Sequence, residues 1–349
     1  MGSMSEMAVT TKAPEAGALE HIDGLELSPQ SKRLRDAYFE GDVRITAERP
    51  RIAMESWKSS DGEPIQLRRA LLMKDLLEQL PVAIHAGELT AGSETRFFRG
   101  VYPTVDHDPD LLLRQIEGGK INLQSSVHMA LMNPEDWDAV VESARYFSGK
   151  CGVDYMRKLR TQVMGTWWDD FIEVKGSTPF EQSFIVAGVP LFEKVLEVGL
   201  NGIIKEAEEG LARFGRREED DPEKLLFWQS VVTSCQAVVT YAQRYADLAQ
   251  KMAASESDPV RRAQLERIAV SCRNVPANPA RNFHEALQSV RLTHLACKLE
   301  GTFSASMGRM DQYLYPYYKA DIIAGKLTDQ GAVDLIADQF SYLARQDII

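Results

Sequence analysis

The sequence predicts an α/β chain dominated by helices, with only a few short strands. Three observations carry that reading. From Glu223 to Ala254 there is no glycine or proline, and Leu225, Val232, Val239 and Ala246 interleave with Trp228, Cys235, Ala242 and Ala249. That seam of period 3.5 suits one long helix packed on a neighbour. After Pro190, Phe192, Val195, Leu196, Gly199, Leu200, Ile203, Ile204, Ala207 and Leu211 recur at spacings of three and four, an apolar helix face. Proline and glycine punctuate the remainder at helix-length intervals, and about three residues in five read as helical.

In chain order, residues 1–27 read as a vector remnant followed by a disordered leader, and residues 28–349 as one continuous unit. Ser28 and Pro29 start a helix that Gly41 stops. Leu67, Leu71, Leu72 and Leu76 form the stripe of a second helix. The chain then shortens into turns around Gly87 and Gly92, with a strand-like Val82–Ile84, and the stretch from Arg96 to Asp110 reads as loop. The Pro190 helix follows, then a solvated link containing the acidic run Glu218–Asp221, then the long helix. A proline-rich loop, VPANP, precedes the helix that carries His284 and His294.

The composition narrows the function classes. The 349 residues carry a net charge of −11 with acids and bases mixed, which argues against a duplex-binding protein. No apolar run approaches the roughly 20 residues needed to span a bilayer, and the N-terminus lacks the apolar core of a signal peptide. Four dispersed cysteines, Cys151, Cys235, Cys272 and Cys297, read as buried small hydrophobes in a reducing cytoplasm rather than as a disulfide framework. No metal site is expected: His284 and His294 stand ten apart and lack the i, i+4 spacing of a helical metal pair, so each reads as a hydrogen-bonded histidine on a helix face. No GxSxG turn offers a serine nucleophile.

Four blocks in order carry a resemblance. They are the segment from Arg44 to Ser93, GVPLFEKVLEVGLNGI from Gly188, VPANPARNFHEALQSV from Val275, and GRMDQYLYPYYKAD from Gly308. Together they resemble the N-terminal part of the glycyl radical enzymes, the pyruvate formate-lyase-like group. The resemblance implies a ten-stranded α/β barrel wrapped in helices, of which this chain supplies outer helices and one barrel edge. It also implies a glycyl radical and a thiyl cysteine, yet neither a Cys-x-Glu loop nor the radical-bearing glycine loop occurs here. The expectation is therefore an N-terminal portion, inactive alone, with the radical on a C-terminal part. The resemblance further implies a homodimer, a small-molecule substrate and a radical-SAM activating enzyme with an iron–sulfur cluster, the chain itself binding no cofactor.

Within that group, the position three residues before the helix-opening proline holds a histidine in the diol dehydratases; here it is Ala187. An alanine transfers no proton, which disfavours dehydration. Bulky apolar residues gather nearby in sequence: Trp167, Trp168, Phe171, Phe180, Phe184 and Ile185. A pocket formed from them would suit an aromatic acid, so the expected reaction is decarboxylation of an arylacetate such as phenylacetate or indoleacetate. The alternatives are fumarate addition, C–S or C–N lysis or dehydration, and an inactive scaffold. Ser304, Ser306, Ala187, Phe184, Trp167 and Trp168 are the expected substrate-binding residues. Arg309, Asp311 and Gln312 are expected to be structural, the Arg309–Asp311 pair fixing a buried loop by charge-assisted hydrogen bonds.

Overall fold

The computed structural model describes residues 25–117, 134–165, 167, 187–213, 222–302 and 304–345. Helix α1 (Pro29–Glu40) starts where Ser28 accepts from the Ser31 N–H and stops at Gly41, as its punctuation requires. After β1 (Arg44–Ile45) come α2 (Glu48–Ser59) and α3 (Ile65–Gln79), whose Ala70, Leu72, Leu76 and Leu77 are buried. Strand β2 (Gly100–Val101) precedes α4 (Pro109–Glu117), α5 (Pro134–Phe147) and α6 (Gly152–Met164). Strand β3 (Ala187–Gly188) leads into α7 (Phe192–Arg213), followed by α8 (Pro222–Ser255), α9 (Pro259–Asn274) and α10 (Phe283–Glu300). The described chain closes with β4 (Ser304–Ala305), α11 (Met310–Tyr313), α12 (Tyr315–Ile323) and α13 (Asp329–Ala344).

Among the described residues the strands form two separate parallel pairs. Arg44 and Ile45 face Gly100 and Val101; Ala187 and Gly188 face Ser304 and Ala305. Parallel pairing needs long crossovers, and here helices supply them. The core lies where α8 packs against α3, α7 and α9, around Tyr241, Tyr245, Ala242, Ala246 and Ala249.

Four sequence expectations need correction. Of the α8 seam only Ala242, Ala246 and Ala249 are buried; Leu225, Trp228, Val232, Cys235 and Val239 stay partly exposed. The Pro190 helix is broken at Gly199, whose φ of 67° and ψ of 170° leave the helical region. There the Leu200 and Asn201 N–H groups donate to the carbonyls of Pro276 and Ala277. A Cβ on Gly199 would lie 2.4 Å from the Ala277 oxygen, so only glycine permits this approach. Val82–Ile84 is irregular rather than a strand, and the stretch read as loop contains β2 and the start of α4. Helix α9 carries no mark in the sequence reading; its start is set by Asp258, which caps the Val260 N–H, and by Pro259.

Candidate functional site

Two neighbouring features of the fold hold the residues with chemical capacity. The first is the loop from His85 to Ser93, gripped from several sides by side chains rather than by a strand partner. Gln288 of α10 donates to the Ala91 carbonyl at 2.7 Å and accepts from the Ala91 N–H at 2.8 Å. Arg261 of α9 donates to the carbonyls of Glu88 and His85. The Ser93 N–H donates to the Tyr245 hydroxyl at 2.9 Å, and Tyr241 lies against Tyr245 at 3.3 Å. His284 donates from Nε2 to the Leu89 carbonyl, leaving Nδ1 to accept from the Ser271 hydroxyl at 2.9 Å. Satisfying backbone groups from side chains is what frees this loop from any sheet.

At its centre sits a fully buried charge cluster. The Arg291 guanidinium reaches Glu88 Oε1 at 2.6 Å and Asp338 Oδ2 at 3.0 Å, and all three side chains have no exposed surface. Arg345 reaches the same Glu88 oxygen at 2.5 Å. Thr90 donates to Asp338 through both its hydroxyl, at 2.6 Å, and its N–H. Desolvation pushes Glu88 upward, but the Arg345 and Arg291 charges outweigh it and hold the carboxyl at about 2. Asp338 is raised instead, because burial exceeds what Arg291 returns and the Glu88 charge adds to the rise. Its Oδ1 has no hydrogen-bond partner among the described residues. A small space opens beside the cluster, lined by Ser93, Glu94, Phe98, Gly100, Tyr342 and Arg345.

The second feature is the β3–β4 pair. Its register sets Ala187 directly opposite Ser304, so two of the expected substrate-binding residues are brought together by backbone alone. The Ser306 N–H extends the ladder by donating to the Gly188 carbonyl at 2.9 Å, and Ser306 is exposed. Behind the pair, His294 of α10 bonds the Ala305 carbonyl through Nε2 and the Tyr342 hydroxyl through Nδ1, both at 2.9 Å. Burial pushes His294 and His284 down to about 4, so both act as neutral hydrogen-bonding groups, as their spacing suggests.

The remaining expected site residues fare differently. Trp167, just beyond α6, is 58% exposed, while Trp168, Phe171, Phe180, Phe184 and Ile185 lie outside the described residues. Arg309 and Asp311 do form a two-pronged pair, at 3.0 and 2.8 Å, but their side chains are 67% and 66% exposed. The expectation of a buried pair is wrong, and Gln312 is exposed as well. The turn is anchored instead by apolar and phenolic contacts. Tyr313 donates to the Met307 carbonyl at 2.7 Å, Leu314 is buried, and Tyr317 and Tyr318 donate to Leu196 O and Asp329. The sequence reading also missed Glu88, Arg291, Asp338 and Arg345. Their separations of 203, 47 and 257 residues leave no local spacing to detect. No group of three or more His, Cys, Asp or Glu suited to a metal occurs among the described residues.

Residues 26–345 match the family described as pyruvate formate lyase-like. The chain belongs to that family. It is 35% identical, over 95% of its length, to an isethionate sulfite-lyase of Desulfovibrio desulfuricans, covering 42% of that protein. It is 25% identical to an indoleacetate decarboxylase of Tractidigestivibacter scatoligenes, over 91% of this chain and 39% of that one. A structure describing 1,2-propanediol dehydration in Roseburia inulinivorans superimposes with a TM-score of 0.83 at 30% identity, covering 93% of this chain and 38% of that one. The chain thus spans about two-fifths of the length of these family members. The fold is part of the family's α/β barrel, with helices forming most of what is described.

Proposed function

We propose that this chain is the N-terminal portion of a glycyl radical lyase that cleaves a carbon–sulfur bond in a small hydroxylated sulfonate of the isethionate type. The observation that carries this reading is the identity to the isethionate sulfite-lyase, 35% over nearly the whole chain, against 25% to the indoleacetate decarboxylase. The β3–β4 pair is compatible with it. Small residues, Ala187, Gly188 and Ala305, alternate there with Ser304 and Ser306, a composition suited to a compact polar substrate.

In this reading residues 1–27 are a leader and 28–349 one unit. The thiyl cysteine and the glycyl radical belong to a C-terminal part, the radical being installed by a radical-SAM activating enzyme; the whole enzyme is a homodimer. This chain's own task is to wall the site: Ser304 of β4 and the adjoining Ser306 run beside β3, and the clamped His85–Ser93 loop fixes the helices behind them.

Decarboxylation of an arylacetate is the second reading. Ala187 in place of a histidine and the aromatic run from Trp167 to Phe184 favour it. Product analysis separates the two. The full-length enzyme with its activating enzyme, under anoxia, is offered isethionate, phenylacetate, indole-3-acetate and 1,2-propanediol in parallel. Sulfite and acetaldehyde from isethionate are the expected products. Toluene or skatole from the aryl acids, with no sulfite, would replace the first reading by the second; propionaldehyde alone would refute both.

A further inference from the structure

We infer that His294, oriented by Tyr342, is the positioning residue that sets β4 against β3 and thereby places Ser304 and Ser306 at the substrate. The inference rests on the reading that β4 borders the substrate. Its geometry starts from the ladder. Successive residues of a strand turn their N–H and C=O groups to opposite edges. The Ser306 N–H faces β3, where it donates to the Gly188 carbonyl. The Ala305 carbonyl, one residue earlier, therefore faces the opposite edge, and there it meets His294 Nε2 at 2.9 Å.

The tautomer follows from the partners. A carbonyl only accepts, so Nε2 carries the proton; Nδ1 is then the acceptor, and the Tyr342 hydroxyl, 2.9 Å away, donates to it. His294 and Tyr342 are both buried, and their rings meet edge-to-face at 5.8 Å, so neither can swing aside without displacing the other. Strand β4 is only two residues long and follows the Gly301 left-handed cap of α10. So short a ladder holds itself weakly. Its height over β3 is set by the bond from His294, which belongs to α10, the helix that also carries Gln288 and Arg291 into the clamped loop. Tyr342 stands on the same helix as Asp338, so the charge cluster and the strand pair share one rigid support.

The test compares His294→Leu, which removes both bonds, with His294→Gln, whose amide N–H falls near the lost Nε2–H, and Tyr342→Phe. In this chain, amide hydrogen exchange at Ser306 should accelerate by at least about tenfold in the leucine variant and return toward wild type in the glutamine variant, while α10 amides change far less. Nitrogen-15 spectra of labelled wild-type imidazole should show the Nε2–H tautomer for His294; Tyr342→Phe should keep that tautomer, because the Ala305 carbonyl still only accepts, while the Nδ1 resonance moves toward that of a nitrogen without a donor. In the full-length enzyme the leucine variant should raise KM for the cleaved substrate more than it lowers kcat, with glutamine restoring KM. Unchanged Ser306 exchange in the leucine variant, no rescue by glutamine, or an Nδ1–H tautomer in wild type would overturn the inference. The tautomer measurement decides even if a variant fails to fold. Exchange and tautomer as expected without turnover of any lyase substrate would sink the lyase reading and leave the positioning role standing.

Discussion

Arg291 and Arg309 show how differently two arginine–carboxylate pairs of similar geometry weigh in one chain. Arg291 lies between Glu88 and Asp338 with no exposed surface, so Arg291→Ala leaves the buried Asp338 without a charged partner and Glu88 with Arg345 alone, and should cost about 3–5 kcal/mol in urea unfolding. Arg309→Ala should leave the melting temperature unchanged, because its pair with Asp311 stands in water. A clear drop in melting temperature for Arg309→Ala would mean that the turn is buried by something else. The same cluster shapes the acid limb. The folded pKa of Glu88, about 2, lies below the ordinary 4.5, so its contribution is complete above about pH 4.5 and is lost as the pH falls toward 2. Asp106, held at about 2 by Arg49 against its own desolvation, acts in the same direction. Asp338 opposes them: its raised pKa means that protonation favours the fold as the pH falls through that value. Melting temperature against pH should therefore decline below about pH 4.5, and Glu88→Gln, less stable at neutral pH, should show a shallower decline. An unaltered slope would show that Glu88 is not held low.

At the scale of elements, the kink at Gly199 gives the sharpest test of packing. Its positive φ and the 2.4 Å approach to the Ala277 oxygen make Gly199→Ala both strained and obstructed. The expected loss exceeds the roughly 1–3 kcal/mol of backbone strain alone. Gly62 has φ of 86° but nothing within 4 Å of a Cβ, so Gly62→Ala should cost only the strain. Equal losses in parallel urea titrations would contradict the obstruction. This kink also marks how far the sequence could be read. Helix ends with local chemistry were legible: Ser28 with Pro29, Gly41, the VPANP loop before α10 and the glycine-free run of α8 all act within a few residues. Gly199 fits the apolar periodicity so well that its break, caused by the distant Pro276–Asn278 segment, leaves no local sign. The strand at Val82–Ile84 failed for the same reason, since side chains from α9 and α10 claim the following loop. At the site, the Ala187–Ser304 pairing follows residues singled out from the sequence. The Glu88–Arg291–Asp338–Arg345 cluster is assembled only by folding, from positions as far as 257 residues apart.

For the whole molecule, the account joins a family membership spanning residues 26–345 to a chain that covers about two-fifths of its relatives' length. Its sequence contains neither the Cys-x-Glu loop nor the radical-bearing glycine loop. What it does contain is a helical frame around one strand pair, and the proposed function places substrate binding here and the radical chemistry in another part of the enzyme. Electron paramagnetic resonance tests that division most directly. This chain alone, and the full-length enzyme, are each incubated anaerobically with the activating enzyme and S-adenosylmethionine. The account predicts a glycine-centred doublet from the full-length enzyme and none from this chain; a doublet from this chain alone, or none from the full-length enzyme, would contradict it.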